Sequence, residues 1–211
     1  MTLENKNFIR SRSLYKAPLS KRKALKIVES SYLAAATALI WIALYYLPIG
    51  GALFRLALPL PLALLQLRRG VKTGMEGVII CVMLLTALMG PLRGPLVLFP
   101  YGLLSLWLGF SWQKGWNWWL SWSVGVIIGT FGFLVRVFVL SILVGENLWI
   151  IITRAGAALI EKGIDIFNFP FTPDMTQVQI VALFLVISQE IVYVLCLHAL
   201  AYWIFPRLKS F

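Results

Sequence analysis

The sequence predicts an all-α polytopic membrane protein with about six transmembrane helices and an extra interfacial helix between the last two. Hydrophobic residues make up 60% of the 211 residues and charged residues only 13%, whereas a soluble domain has about 25% charged residues. Long apolar runs alternate with short turns, and each crossing needs about 20 residues. The turn that contains Arg68, Arg69 and Lys72 lies between two such runs. Because short basic turns stay on the cytoplasmic side of a membrane, this turn also predicts the orientation.

The positive charge of the chain is concentrated at its start. The formal net charge is +11, and the first 26 residues contain eight basic side chains: Lys6, Arg10, Arg12, Lys16, Lys21, Arg22, Lys23 and Lys26. A basic segment directly before an apolar helix is typical of a cytoplasmic anchor that contacts anionic lipid, not of a nucleic-acid-binding protein. We therefore predict a basic cytoplasmic arm over residues 1–26 and a single six-helix domain over residues 27–211.

The first two predicted spans are joined by a turn with proline and glycine. Span one covers about residues 27–47 and ends at the turn of residues 48–51. Span two covers about residues 52–67 and contains Pro59 and Pro61. Because proline has no backbone N–H, we expect span two to be kinked or partly unwound.

The remaining spans are predicted over about residues 74–89, 96–112, 120–143 and 178–205. The turn after span four contains several tryptophans, which favour the level of the lipid headgroups. An apolar stretch between spans five and six is interrupted by Arg154, Glu161, Lys162 and Asp165. These charges make a full crossing costly, so we predict an interfacial or re-entrant segment over residues 146–174 on the outer side. Six crossings then place both termini in the cytoplasm.

Polar side chains within the last two spans are the candidate ligand-binding residues. Arg136 lies in the outer half of span five, and Gln189 and Glu190 lie near the middle of span six. Because the two spans run antiparallel, Arg136 and Glu190 can come within reach of each other. They then either line a pocket for a small polar or anionic solute or form an ion pair that fixes the register of spans five and six. Tyr193 lies close to Glu190 on span six, on a neighbouring part of the helix face that contains Glu190. Arg55, near the outer end of span two, either lines the mouth of such a pocket or extends to the outer interface.

The sequence contains no recognisable enzyme motif. HExxH, GxSxG and Walker-type loops are absent. The single histidine, His198, is expected to form a hydrogen bond to a neighbouring helix, and Cys81 and Cys196 are expected to be small apolar side chains. We therefore predict no catalytic residue, no metal and no cofactor, and any active transport would need ATPases on other chains.

Several motifs carry a resemblance to a known family. They are LPLP at residues 58–61, LRRGVKTG at residues 67–74, and GPL at residues 90–92 followed by PYGL at residues 100–103. Over roughly residues 26–143, the chain resembles the YybS-like predicted membrane proteins. That family is similar, as a distant relative, to the substrate-binding S components of energy-coupling-factor (ECF) transporters.

The resemblance implies a six-helix bundle with a ligand pocket in its outer half. It also implies that small residues of span one, here Ala34 and Ala38, pack against an ECF-type transmembrane subunit that acts with ATPases. The expected function is an S-component-like subunit that binds or translocates a small solute. The alternative is a non-transport scaffold or assembly factor that binds another membrane protein. The resemblance points to a bacterial plasma membrane, or a thylakoid in a photosynthetic source.

Overall fold

The computed structural model describes residues 20–47, 50–167 and 174–208, with the backbone alone for 163–167 and 204–208. These residues form eight α-helices and one short 3-10 helix, and no strand occurs among them. The α-helices are α1 (Lys21–Tyr46), α2 (Gly51–Ala57), α3 (Leu60–Arg69), α4 (Val71–Met89), α5 (Tyr101–Lys114), α6 (Trp118–Val144), α7 (Trp149–Phe167) and α8 (Met175–Leu208); the 3-10 helix (Pro95–Leu98) precedes α5. The all-α prediction is confirmed.

Six candidate spans are long and apolar enough to cross a membrane. They are Lys21–Tyr46, Gly51–Arg69, Val71–Met89, Pro95–Lys114, Trp118–Val144 and Met175–Trp203. The prediction of six spans is therefore confirmed. The second span combines α2 and α3, and the fourth combines the 3-10 helix and α5.

The helix between the last two spans is α7. It lies within the predicted segment 146–174 and is not one of the six candidate spans among the described residues. It packs against α8, where an added Cβ at Gly156 would lie 3.1 Å from the Val178 carbonyl oxygen and 3.2 Å from the Ala182 nitrogen. A glycine at this position therefore lets the two backbones approach closely.

The start of α1 corrects the boundary of the predicted basic arm. Because α1 begins at Lys21, residues 21–26 form its first turns and not part of a separate arm. Several ion pairs join this end of α1 to α3 and α4: Lys26 with Glu76 at 3.0 Å, and Glu29 with Arg69 at 2.5 Å and with Arg68 at 3.9 Å. Predictions for residues 1–19, 48–49, 168–173 and 209–211 lie outside the described part of the chain.

The small-residue face of α1 is part of the core. Ala34 and Ala38 are 0% and 1% exposed, and the face that they share with Trp41 packs against α3 and α4. The expectation that Ala34 and Ala38 bind a partner subunit is therefore corrected. Small side chains do allow close helix contact, but here the contact is within the chain.

Glycines position α6 against its neighbours. Among its residues the buried positions are Ser121, Gly125, Gly129 and Gly132. An added Cβ at Gly125 would lie 2.9 Å from Val194 of α8, and one at Gly132 would lie 2.6 Å from Cα of Pro100. The stripe of glycines thus brings α6 close to α8 and to the start of α5.

Candidate functional site

A small cavity lies where α2, the start of α5, α6 and α8 meet. Its volume is about 40 Å³, and its lining residues are Arg55, Pro100, Tyr101, Phe133, Arg136, Gln189, Glu190 and Tyr193. All five ligand-binding candidates from the sequence line this one cavity. A cavity of this volume has room for about three water-sized groups, because a single water molecule needs about 10–15 Å³.

Glu190 is the acidic group of the cavity. Its side chain is 5% exposed, and its Oε2 atom is buried without a hydrogen-bond partner in the described residues. Gly129 of α6 makes room for it, because a Cβ there would collide with Oε2 and lie 3.2 Å from Cδ. The carboxyl group therefore depends on the absence of a side chain on the facing helix.

Arg136 is held by aromatic side chains. Its Nη2 atom donates a hydrogen bond to the Tyr45 hydroxyl at 3.2 Å. Its guanidinium carbon lies 5.1 Å from the centre of the Trp41 ring and 5.9 Å from that of Tyr101. Rings at these distances attract a cation through their π faces. No ion pair within 4.0 Å joins Arg136 to Glu190 among the described side chains, so the register-fixing pair considered from the sequence is not formed.

Tyr193 and Arg55 connect the cavity to the break in span two. Pro59 has no N–H, so the Arg55 carbonyl oxygen, four residues earlier, lacks the donor that a regular helix supplies. The Tyr193 hydroxyl donates to that oxygen at 2.8 Å. The break between α2 and α3 confirms the predicted irregularity of span two.

Two exposed polar side chains, those of Arg55 and Gln189, complete the lining of the cavity. Arg55 has an exposed side chain and interacts electrostatically with Glu190 without a hydrogen bond between them. Gln189 lines the cavity although its side chain is exposed. The lining therefore combines two guanidinium groups, one carboxyl group, one amide and the hydroxyls of Tyr101 and Tyr193.

His198 belongs to a separate cluster toward the C-terminal end of α8. Its Nε2 atom lies 2.9 Å from the Ser121 hydroxyl, and its Nδ1 atom donates to the Val194 carbonyl at 2.9 Å. Ser111 lies 2.7 Å from Ser121, and the Trp118 ring meets the imidazole edge to face. The expected hydrogen bond to a neighbouring helix is confirmed, and the buried chain joins α5, α6 and α8.

The described residues contain no cluster of side chains suited to bind a metal ion. No group of three histidine, cysteine, aspartate or glutamate side chains could hold an ion there. Cys81 is buried and Cys196 is half-buried, and both are free thiols.

Four residues of the site were not predicted from the sequence as site residues. Pro100, Tyr101 and Phe133 line the cavity, and Gly129 makes room for Glu190. The spacing of the α6 glycines, at residues 125, 129 and 132, is a signal that was available, because small residues three and four apart form one helix face.

A comparison with models of protein families relates the chain to a known family. The model for "Predicted membrane protein (DUF2232)" matches residues 34–168, which is more than half of the chain. The chain belongs to the DUF2232 family of predicted membrane proteins. Together with the six candidate spans, this makes it an integral membrane protein.

The family match covers only part of the cavity lining. Arg55, Tyr101 and Arg136 lie within the matched residues, whereas Glu190 and Tyr193 lie beyond them. No curated protein matches the chain, and neither does any solved structure.

Proposed function

We propose that this chain is a solute-binding membrane subunit of the S-component type, and that the cavity binds the anionic group of a small solute. The observation that carries the proposal is the set of charged side chains that line one cavity without forming ion pairs with each other. Arg55, Arg136 and Glu190 come from three different helices, α2, α6 and α8. None of them forms an ion pair within 4.0 Å among the described residues.

The cost of charges in a membrane supports a role beyond structure. A charged side chain at the centre of a span costs about 2.5–3.5 kcal/mol on insertion scales. A structural ion pair would offset that cost, but Arg136 and Glu190 make no such contact. Two guanidinium groups facing one carboxyl group leave an excess of positive charge, and guanidinium groups bind carboxylates and phosphates in a planar, two-pronged geometry.

The size of the cavity limits the part of the solute that it can hold. A volume of about 40 Å³ is far smaller than the roughly 300–1,000 Å³ of pockets that enclose a drug-sized molecule. We therefore assign the cavity to a head group of a few atoms, such as a carboxylate, with any larger part of the solute outside it.

Translocation would depend on other chains. The sequence contains no nucleotide-binding loop, so an ECF-type transmembrane subunit and ATPases are the partners that we propose. Ala34 and Ala38 are buried, which leaves the opposite face of α1, with exposed Tyr32 and Leu39, for such a contact. The proposed location is a bacterial plasma membrane, or a thylakoid, with both termini cytoplasmic.

Ligand-dependent stability in lipid nanodiscs tests the proposed function. Small carboxylates and phosphates are added to the purified full chain, and a ligand that binds the folded state raises the unfolding temperature. Arg136→Gln is expected to abolish this rise, while Arg154→Gln, an exposed position on α7, keeps it. The proposal fails if no such ligand stabilises the protein, or if Arg136→Gln responds like wild type.

A second function, a membrane scaffold or assembly factor, is favoured by a different surface. An open groove of about 610 Å³ between α2, α3 and α8 has only apolar side chains in its lining: Leu53, Leu56, Ala57, Leu60, Cys196, Ala199, Leu200 and Trp203. A helix of another membrane protein would pack there. Under this function, Leu56→Trp releases a co-purifying membrane protein in mild detergent without changing ligand-dependent stability.

A further inference from the structure

We propose that the solute is amphoteric and carries an ammonium group next to its carboxylate, as small α-amino acids do. Glu190 would bind the ammonium group, and Arg136 would bind the carboxylate. This inference rests on the proposed function and names the class of solute for that same cavity.

A simple anion leaves the Oε2 atom of Glu190 without a hydrogen-bond donor, although Arg55 interacts with the carboxyl group electrostatically. The carboxyl group is 5% exposed, and its Oε2 atom receives no hydrogen bond from the described residues. A purely anionic solute would add a negative charge beside this group and supply no donor to it. An ammonium group supplies three N–H donors and a compensating charge, and such charge-assisted bonds are about twice as strong as neutral ones.

Arg136 is held in place, yet most of its hydrogen-bond donors have no partner among the described residues. Of its five N–H donors, one bonds to the Tyr45 hydroxyl, and the others have no hydrogen-bond partner in the described part of the chain. The rings of Trp41 and Tyr101 contact the guanidinium group through their π faces. They hold it without consuming donors, so the group remains able to bind a carboxylate.

Arg136 and Glu190 line the same cavity without forming an ion pair with each other, since no ion pair within 4.0 Å joins them among the described side chains. A solute that carries both charges on one small head group can contact Arg136 and Glu190 from inside the cavity that both side chains line. Because the cavity of about 40 Å³ has little room, the smallest amphoteric solutes, glycine and alanine, are expected to bind better than amino acids with large side chains.

Binding of matched small ligands to the full chain in nanodiscs tests the inference. Glycine carries both charges, acetate carries only the carboxylate, and glycinamide carries only the ammonium group. Titration calorimetry is expected to show glycine binding at least tenfold more tightly than either of the other two. This comparison uses the wild-type chain and so does not depend on how any variant folds.

Variants assign the two charges to their residues. Glu190→Gln is expected to lower glycine affinity at least tenfold and to leave acetate affinity unchanged or higher. Arg136→Gln lowers the affinity for both ligands. Glu161→Gln, an exposed position on α7, is the matched control and should change neither.

The outcomes separate this inference from the proposed function. If acetate binds as tightly as glycine, or if Glu190→Gln weakens both equally, the amphoteric solute is refuted while an anion-binding subunit remains. If neither glycine, acetate nor any other small anion binds, both the inference and the proposed function are refuted.

Discussion

Replacing Tyr193 with phenylalanine tests how the break in span two is held to the last helix. The change removes only the hydroxyl that donates to the Arg55 carbonyl oxygen at 2.8 Å. That oxygen has no helical donor, because the residue four positions later is Pro59. In membrane proteins, interhelical hydrogen bonds average about 0.6 kcal/mol and reach about 1.7 kcal/mol. Since a carbonyl left without a donor costs about 1–3 kcal/mol, we expect Tyr193→Phe to lower the free energy of unfolding by about 1–2 kcal/mol.

A double-mutant cycle isolates this interaction. Leu58 has φ −60° and ψ −46°, and Pro59 has φ −78° and ψ −16°, so both already have helical backbone angles. Pro59→Ala therefore supplies an N–H near the Arg55 carbonyl oxygen without a large change in chain direction. In the Pro59→Ala background, Tyr193→Phe is expected to lower the free energy of unfolding by less than half as much as it does with proline at position 59. Coupled residues show interaction energies of about 0.5–3 kcal/mol, so a difference of this size is measurable.

The assay is reversible unfolding in mixed micelles with increasing sodium dodecyl sulfate, followed by tryptophan fluorescence. Tyr202→Phe is the matched control, because Tyr202 lies on the same helix and is 85% exposed. The reasoning is refuted if Tyr193→Phe costs no more than Tyr202→Phe. It is also refuted if the loss is the same with proline and with alanine at position 59.

Two further substitutions test the packing around the cavity and the histidine cluster. Gly129→Ala places a Cβ against the Glu190 carboxylate, so ligand-dependent stabilisation should be lost. Gly51→Ala, whose Cβ meets only a leucine side chain at 3.9 Å, should keep it, and equal behaviour of the two variants would contradict the close contact. Ser121→Ala removes the hydrogen bond to His198 Nε2 and should lower the free energy of unfolding by about 1–2 kcal/mol; an unchanged unfolding curve would contradict a structural role for that bond.

The sequence was sufficient to predict the membrane class and the number of spans. Lipid cannot satisfy backbone N–H and C=O groups, so each long apolar run must form a helix that satisfies its own. The irregular second span followed from Pro59, since a missing N–H is a property of the residue itself. The level of Arg136 and Glu190 in the bundle followed from counting residues along antiparallel helices.

Contacts that depend on helix rotation were not predictable in the same way. The four-residue spacing of Ala34 and Ala38 defines a face of α1, but spacing does not say whether another subunit or the same chain covers that face. Similarly, counting residues along two antiparallel helices does not say whether the side chains of Arg136 and Glu190 touch. The rings that hold Arg136 belong to Trp41 and Tyr101, which are far from it in sequence.

The surroundings of Glu190 are unfavourable for stability alone. An apolar residue at position 190, with a residue larger than glycine at position 129, would pack α6 against α8 equally well. It would also remove the free-energy cost of a charge within a span. The chain instead combines a glycine with an acid whose Oε2 atom has no partner in the described residues. Local departures from the arrangement that stability favours are typical of functional sites. Arg136 contacts aromatic rings and forms no ion pair with Glu190 among the described side chains, so both charged groups remain available to a molecule from outside the chain.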